Sequence, residues 1–105
     1  MTSVPRRQKL ESMLNESPRD QMLRYMLAME FDKEFEHERS LELFRSLMED
    51  VPAYVPAFLM AGQLLARLDR AEDARSTYQS GIIEAKKQKN DHAAGEMTGF
   101  LEALR

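Results

Sequence analysis

Residues 34 positions apart answer one another along this chain, and no other feature restricts its fold as strongly. Pro18 pairs with Pro52, Leu27 and Ala28 with Ala61 and Gly62, and Phe31 with Leu65. Ser40 pairs with Ala74, Phe44 with Tyr78 and Leu47 with Gly81; Leu10 and Met13 extend the series backward to Phe44 and Leu47. Small residues largely answer small ones, and large apolar residues answer large ones. A period of this length marks a helix–turn–helix unit that cannot bury its apolar face alone and does so by stacking on copies of itself.

Helical spacing fills the period. Leu10, Met13 and Leu14 share one face of a short helix expected over about Val4 to Asn15. "SPRD" follows, with Ser17 as the expected cap, Pro18 at the first helical position and Asp20 at the capping-box position of a helix running to about Lys33. A third helix carries Leu41, Leu43, Phe44, Leu47 and Met48. Pro56 opens a fourth with Phe58, Leu59, Ala61, Leu64, Leu65 and Leu68. "DRAE" reads as the next start, with Asp69 as cap and Glu72 three residues on. The fifth helix holds Ala74, Tyr78, Ile82 and Ile83, and a sixth runs from about Asp91 to Leu104. No stretch reads as a strand. The supply of Glu, Leu, Ala, Arg and Met, with four glycines and four prolines, agrees with helix over sheet.

Seven residues of the second unit, Phe58, Ala61, Gly62, Leu65, Ala74, Tyr78 and Gly81, fall on the signature positions of the tetratricopeptide repeat family, which the chain resembles. The first unit matches through Leu27, Ala28, Phe31, Ser40, Phe44, Leu47 and the closing Pro52, and departs at Arg24, where the family favours a large apolar residue. The resemblance covers nearly all 105 residues and is similar to that of small free-standing bacterial repeat proteins. It implies an all-α fold, a right-handed superhelix of antiparallel helix pairs. The expected organisation is a single domain with a half repeat over 1–17, repeats over 18–51 and 52–88, and a capping helix over 89–105. Within it, Gly62 and Ala74 should let the two helices of one pair close tightly, and Gly81 should do the same against the following helix. Packing there would offset the ~1 kcal/mol that a mid-helix glycine costs.

Little in the sequence points to catalysis. The two histidines, His37 and His92, have no second histidine at ligand spacing, and there is no cysteine. No glycine-rich phosphate loop or nucleophile elbow is present. The chain is therefore expected not to be an enzyme and to need no cofactor or metal. The net charge of −3 weighs against nucleic-acid binding, and no apolar run is long enough for a membrane helix. The N-terminus has no secretory core, so a cytoplasmic home is expected. "KKQK" reads as cations at a helix C-terminus, favoured by the helix dipole. "EFDKEFEHE" reads as a solvated helix end and turn.

The resemblance also implies where a partner would lie. In that family the first helix of each pair lines the concave side, with contacts at its second, fifth, ninth, twelfth and thirteenth positions. Mapped here, these include Met22, Tyr25, Met29 and Lys33, then Leu59, Gln63 and Arg67. The Lys and Asn that grip a C-terminal carboxylate in some members are absent. The expected partner is an apolar or amphipathic segment of another protein. The alternative is self-association through apolar faces on the end helices, with Met97, Phe100, Leu101 and Leu104 on the last of them.

Overall fold

The computed structural model describes residues 5–104 and consists of six helices: α1 (Arg6–Glu16), α2 (Gln21–Lys33), α3 (His37–Glu49), α4 (Val55–Arg67), α5 (Ala71–Lys87) and α6 (Asp91–Ala103). No strand occurs among the described residues. The expected start at Val4 lies outside them. The chain forms two compact units, one ending at Leu47 and one beginning at Met48.

Two helix starts differ from the sequence reading. Asp20, not Ser17, caps α2: the Leu23 N–H donates to Asp20 Oδ1 at 2.9 Å. The Ser17 N–H instead donates to the Met13 carbonyl, so Ser17 closes α1 and Pro18 lies in the turn. Asp69 does not cap α5 either. Its φ of 61° places it in the left-handed region, where it ends α4. The Arg70 N–H then donates to the Leu65 carbonyl at 2.9 Å, a six-residue closure that satisfies an orphan carbonyl. Phe35 and Lys89 occupy the same place after α2 and α5, each with φ 62°, followed by Glu36 to Phe31 and Asn90 to Ala85 closures. Asn90 caps α6, accepting from the Ala93 N–H at 3.1 Å.

In the first unit, Leu10, Leu27 and Phe31 form a buried cluster against Leu14, Leu23, Met26 and Leu43. Ion pairs fasten α1 to the end of α2: Arg6 to Glu30 at 3.0 Å and Arg7 to Glu34 at 2.9 Å. The Arg39 guanidinium covers the Phe31 ring at 4.3 Å. Where α2 meets α3, Ala28 and Ser40 are both buried, and Ser40 Oγ donates to the Ala28 carbonyl at 2.7 Å. That bond explains how a hydroxyl sits at a small, dry position without an unmet hydrogen bond. Arg24 is half-buried, and its guanidinium donates to Ser46 Oγ and to the Arg19 carbonyl. Its apolar stem and its charged end thus replace the large apolar residue that the repeat pattern leads one to expect.

The second unit packs α4 against α5 and α5 against α6. A Cβ added to Gly62 would stand 2.7 Å from Cδ1 and Cζ of Tyr78, and closer still to Cε1. The glycine is thus the hole into which the Tyr78 ring fits. A Cβ on Gly81 would meet Met97 Sδ at 2.5 Å and Phe58 Cβ at 2.6 Å, so that glycine serves both its own pair and the following helix. The Phe100 ring stacks on Tyr78 at 6.1 Å, which settles its direction: it covers the α5 side rather than pointing away.

Tyr78 is almost wholly buried, and desolvation raises its phenol above the ordinary 10.0. The folded state therefore holds that proton more tightly than the unfolded chain. The stability this contributes is complete below pH 10.0 and is lost as pH rises through the folded value. Alkaline titration should show one tyrosinate appearing together with loss of helical circular dichroism. Tyr78→Phe should remove that late step.

Candidate interaction surface

The two first-of-pair helices, α2 and α4, each carry a row of partly exposed side chains. On α2 the row is Met22, Tyr25, Met29 and Lys33, at spacings of three, four and four residues that keep one face. Met22 is 62% exposed, Tyr25 and Met29 are half-buried, and Lys33 is exposed at the C-terminal end. On α4 the row is Leu59, Gln63 and Arg67, strictly four apart. Leu59 and Gln63 are half-buried and Arg67 is exposed in the last turn. Each row lies on its own unit.

Chemistry grades along both rows. The N-terminal part is apolar: Leu59 on α4, and on α2 two methionines, whose three rotatable bonds and polarizable sulfur make them adaptable. The C-terminal part is cationic, where the helix dipole favours positive charge. Lys33 Nζ also lies 3.4 Å from Glu30 Oε1, which helps to hold it at the end of the row. Tyr25 is fixed from beneath: its ring meets the buried Phe44 at 6.1 Å with planes tilted by 58°. A tyrosine seated in this way offers a large contact area with little rotamer freedom left to lose.

Each of the two histidines meets one carboxylate. His37 opens α3, with Nδ1 3.3 Å from Asp32 Oδ1, and His92 lies 3.6 Å from Glu96 on exposed α6. Among the described residues no group of three His, Cys, Asp or Glu side chains could hold a metal ion. No helix among them is long and apolar enough to cross a membrane. Two open clefts lie elsewhere. One, of about 400 Å³, has Leu27, Phe31 and Leu43 below Glu11 and Glu42. The other, of about 310 Å³, lies beside Val51, Pro52 and Ala53.

Of the apolar end-helix residues, Met13 on α1 is half exposed, and Phe100 on α6 keeps 41% exposure despite its stacking on Tyr78. Met97 is buried, and Leu101 and Leu104 are half-buried. Sequence reading passed over Phe35, which is 81% exposed. The available signal was a lone aromatic among charged residues in "DKEFEHER".

The fold has clear counterparts. The solution structure of a tetratricopeptide repeat domain protein from Salinibacter ruber superposes with a TM-score of 0.77 at 36% identity, covering 82% of this chain and 87% of that one. A crystal structure of a tetratricopeptide repeat domain protein from the same organism gives 0.70 at 36% identity, covering 78% and 92%. A protein from Bordetella parapertussis known from its solution structure shares the fold at a TM-score of 0.81, with 22% identity over 97% of this chain and 89% of that one. No curated protein matches the chain. The model of the Myxococcota tetratricopeptide repeat protein family matches residues 13–96, which takes in both signature sets and the glycine holes, and the chain belongs to that family.

Proposed function

We propose that this protein is a non-catalytic cytoplasmic module that holds an apolar or amphipathic segment of another protein on the exposed row of a first-of-pair helix, above all that of α2. Proteins of this repeat family are generally protein-interaction modules, and the finer reading rests on the side chains that this chain presents. The observation that carries it is Tyr25, a half-buried aromatic seated on Phe44 and flanked along one face by Met22 and Met29. Anchors of this kind dominate binding energy, and the contacts around them act mainly to exclude water. Leu59 and Gln63 on α4 offer a second, smaller contact of mixed polarity. Lys33 and Arg67 favour a segment whose carboxylates fall near the helix C-termini. A helix with apolar residues at i, i+3 and i+4, or an extended strand of alternating character, satisfies the α2 row.

The test is affinity capture with the wild type beside Tyr25→Ala/Leu59→Ala, followed by titration of the purified partner. The double variant should lose about tenfold or more in affinity, because truncating a central aromatic anchor costs at least ~1.4 kcal/mol. Its helical circular dichroism should stay close to that of the wild type. A partner retained equally by both proteins would count against these faces.

A further inference from the structure

We infer that the chain self-associates weakly, with Phe35 of one copy entering the cleft beside Val51 of another. Phe35 lies two residues beyond the end of the α2 row, and neither it nor the residues lining the cleft belong to the α2 and α4 rows. The argument begins with an anomaly in the turn after α2. The left-handed position that ends a helix favours glycine, and for a bulky residue it is a genuine outlier. Here it holds phenylalanine at φ 62°. The equivalent positions after α4 and α5 hold Asp69 and Lys89, whose polar side chains suit water. Phe35 does not: its ring is 81% exposed and meets the edge of His37 at 6.0 Å. Backbone conformation and solvation both disfavour it in the isolated chain. Strained and exposed residues of this kind cluster at contact sites.

A receiving surface occurs on the second unit. The stretch between α3 and α4 places Val51 almost wholly in water, at 98% exposure, and Val51, Pro52 and Ala53 line a cleft of about 310 Å³ against the end of α5. Gln88 Nε2 donates to the Ala53 carbonyl at 2.8 Å and so fixes one wall. Phe35 and Val51 are the two most exposed large apolar residues among those described. Burying one against the other removes both from water.

Charge selects the same pairing. The turn around Phe35 carries Asp32, Glu34, Glu36 and Glu38 against Lys33, Arg39 and Arg7, with Arg7 2.9 Å from Glu34 and Arg39 3.8 Å from Glu36, which leaves a small acidic excess. The α5 end carries Lys86, Lys87 and Lys89, with Lys87 lining the cleft. Asp50 and Glu84 also line it, and Glu84 lies 3.9 Å from Lys87, so the attraction is a modest excess rather than a full match. The contact joins different surfaces on the two copies, so it is heterologous: it forms a ring if the rotation closes and a chain if it does not.

Sedimentation velocity on the purified chain tests this, at concentrations from ~10 µM to ~1 mM. The mean mass should rise above the 12.2 kDa of one chain as concentration increases. The rise should shrink in 1 M salt, where screening falls to ~3 Å. Phe35→Gly should stay at the monomer mass throughout, while its thermal midpoint rises by a few degrees because glycine suits the left-handed position. Phe35→Ser, which keeps a side chain there, should also stay monomeric. Lys87→Glu should weaken association about tenfold, and Glu36→Lys added to it should restore part of the loss. Tyr25→Ala/Leu59→Ala should associate as the wild type does, which separates this contact from the partner-binding rows. A wild type that remains monomeric at the highest concentration in low salt overturns the inference. So does a Phe35→Gly protein that associates normally, or a Lys87→Glu protein that is unaffected.

Discussion

Gly62→Ala should destabilise the protein by about 2 kcal/mol or more, even though alanine is the better helix former by ~1 kcal/mol. Propensity and packing point in opposite directions here, and distance decides between them. The added carbon would lie 2.7 Å or less from three atoms of the Tyr78 ring. That ring is almost fully buried, and Phe100 stacks against it, so it has no free space to move into. Gly81→Ala should behave alike, because Phe58 Cβ is the base of a side chain and cannot swing away as a flexible tip could. Gly95 and Gly99 on α6 provide the internal control. Among the described residues, nothing beyond the adjacent residues and the local helix backbone lies within 4 Å of a Cβ built at either, so alanine there should recover its propensity, up to ~1 kcal/mol each. Four Gly→Ala variants in one chain should therefore divide by sign. Urea unfolding checks this: the midpoint should fall for positions 62 and 81 and rise for 95 and 99, with the slope unchanged. Pairing Gly62→Ala with Tyr78→Leu should cost less than the two changes summed, since the smaller side chain vacates the hole. A Gly62→Ala protein as stable as the wild type would remove the idea that the ring and the glycine are matched.

Much of this architecture could be read from the residues because the period forces it. A chain that repeats small and large positions every 34 residues must bring the same faces together in each pair, so the small positions Ala28 and Ser40, or Gly62 and Ala74, correspond by pattern before any coordinates are known. The reading expected small residues to meet small ones across the pair. In the second unit the closer match is a small residue against a large ring, which pattern alone does not distinguish. Helix starts were less legible for a chemical reason. Aspartate suits both a helix cap and the left-handed residue that ends a helix, so Asp69 carries the same signal for two opposite roles. The exposure of Phe35 had a signal in its charged surroundings, but its left-handed backbone had none: the residues at the three equivalent positions are phenylalanine, aspartate and lysine, and none is glycine. The rows on α2 and α4 follow from four-residue spacing. What rests on them depends on the shape of a partner, which this chain does not encode.

Phe44→Ala should cost about 3–5 kcal/mol, the usual range for emptying an aromatic site in a packed core. Phe44 is almost fully buried, and its neighbour across the pair is Tyr25, so the loss has two parts. One is the cavity itself. The other is the support beneath the ring that heads the proposed contact row. Set against the 5–15 kcal/mol typical of a folded domain, the first part alone brings the protein near its limit. The truncation thus tests the core more than the function. Phe44→Leu separates the two. It retains most of the volume and should cost clearly less than the truncation, leaving helical circular dichroism nearly intact. It removes the aromatic face on which Tyr25 rests, however, and that ring should gain rotamer freedom. Binding of a partner on the α2 row should then weaken a few-fold, because ordering Tyr25 on contact would cost entropy that Phe44 now pays for in advance. Leu59 lies on the other unit, so a partner held there alone should not register the change. Comparing thermal melts with partner titrations for the two variants therefore distinguishes a tyrosine that matters because it is held from one that matters only because it is present.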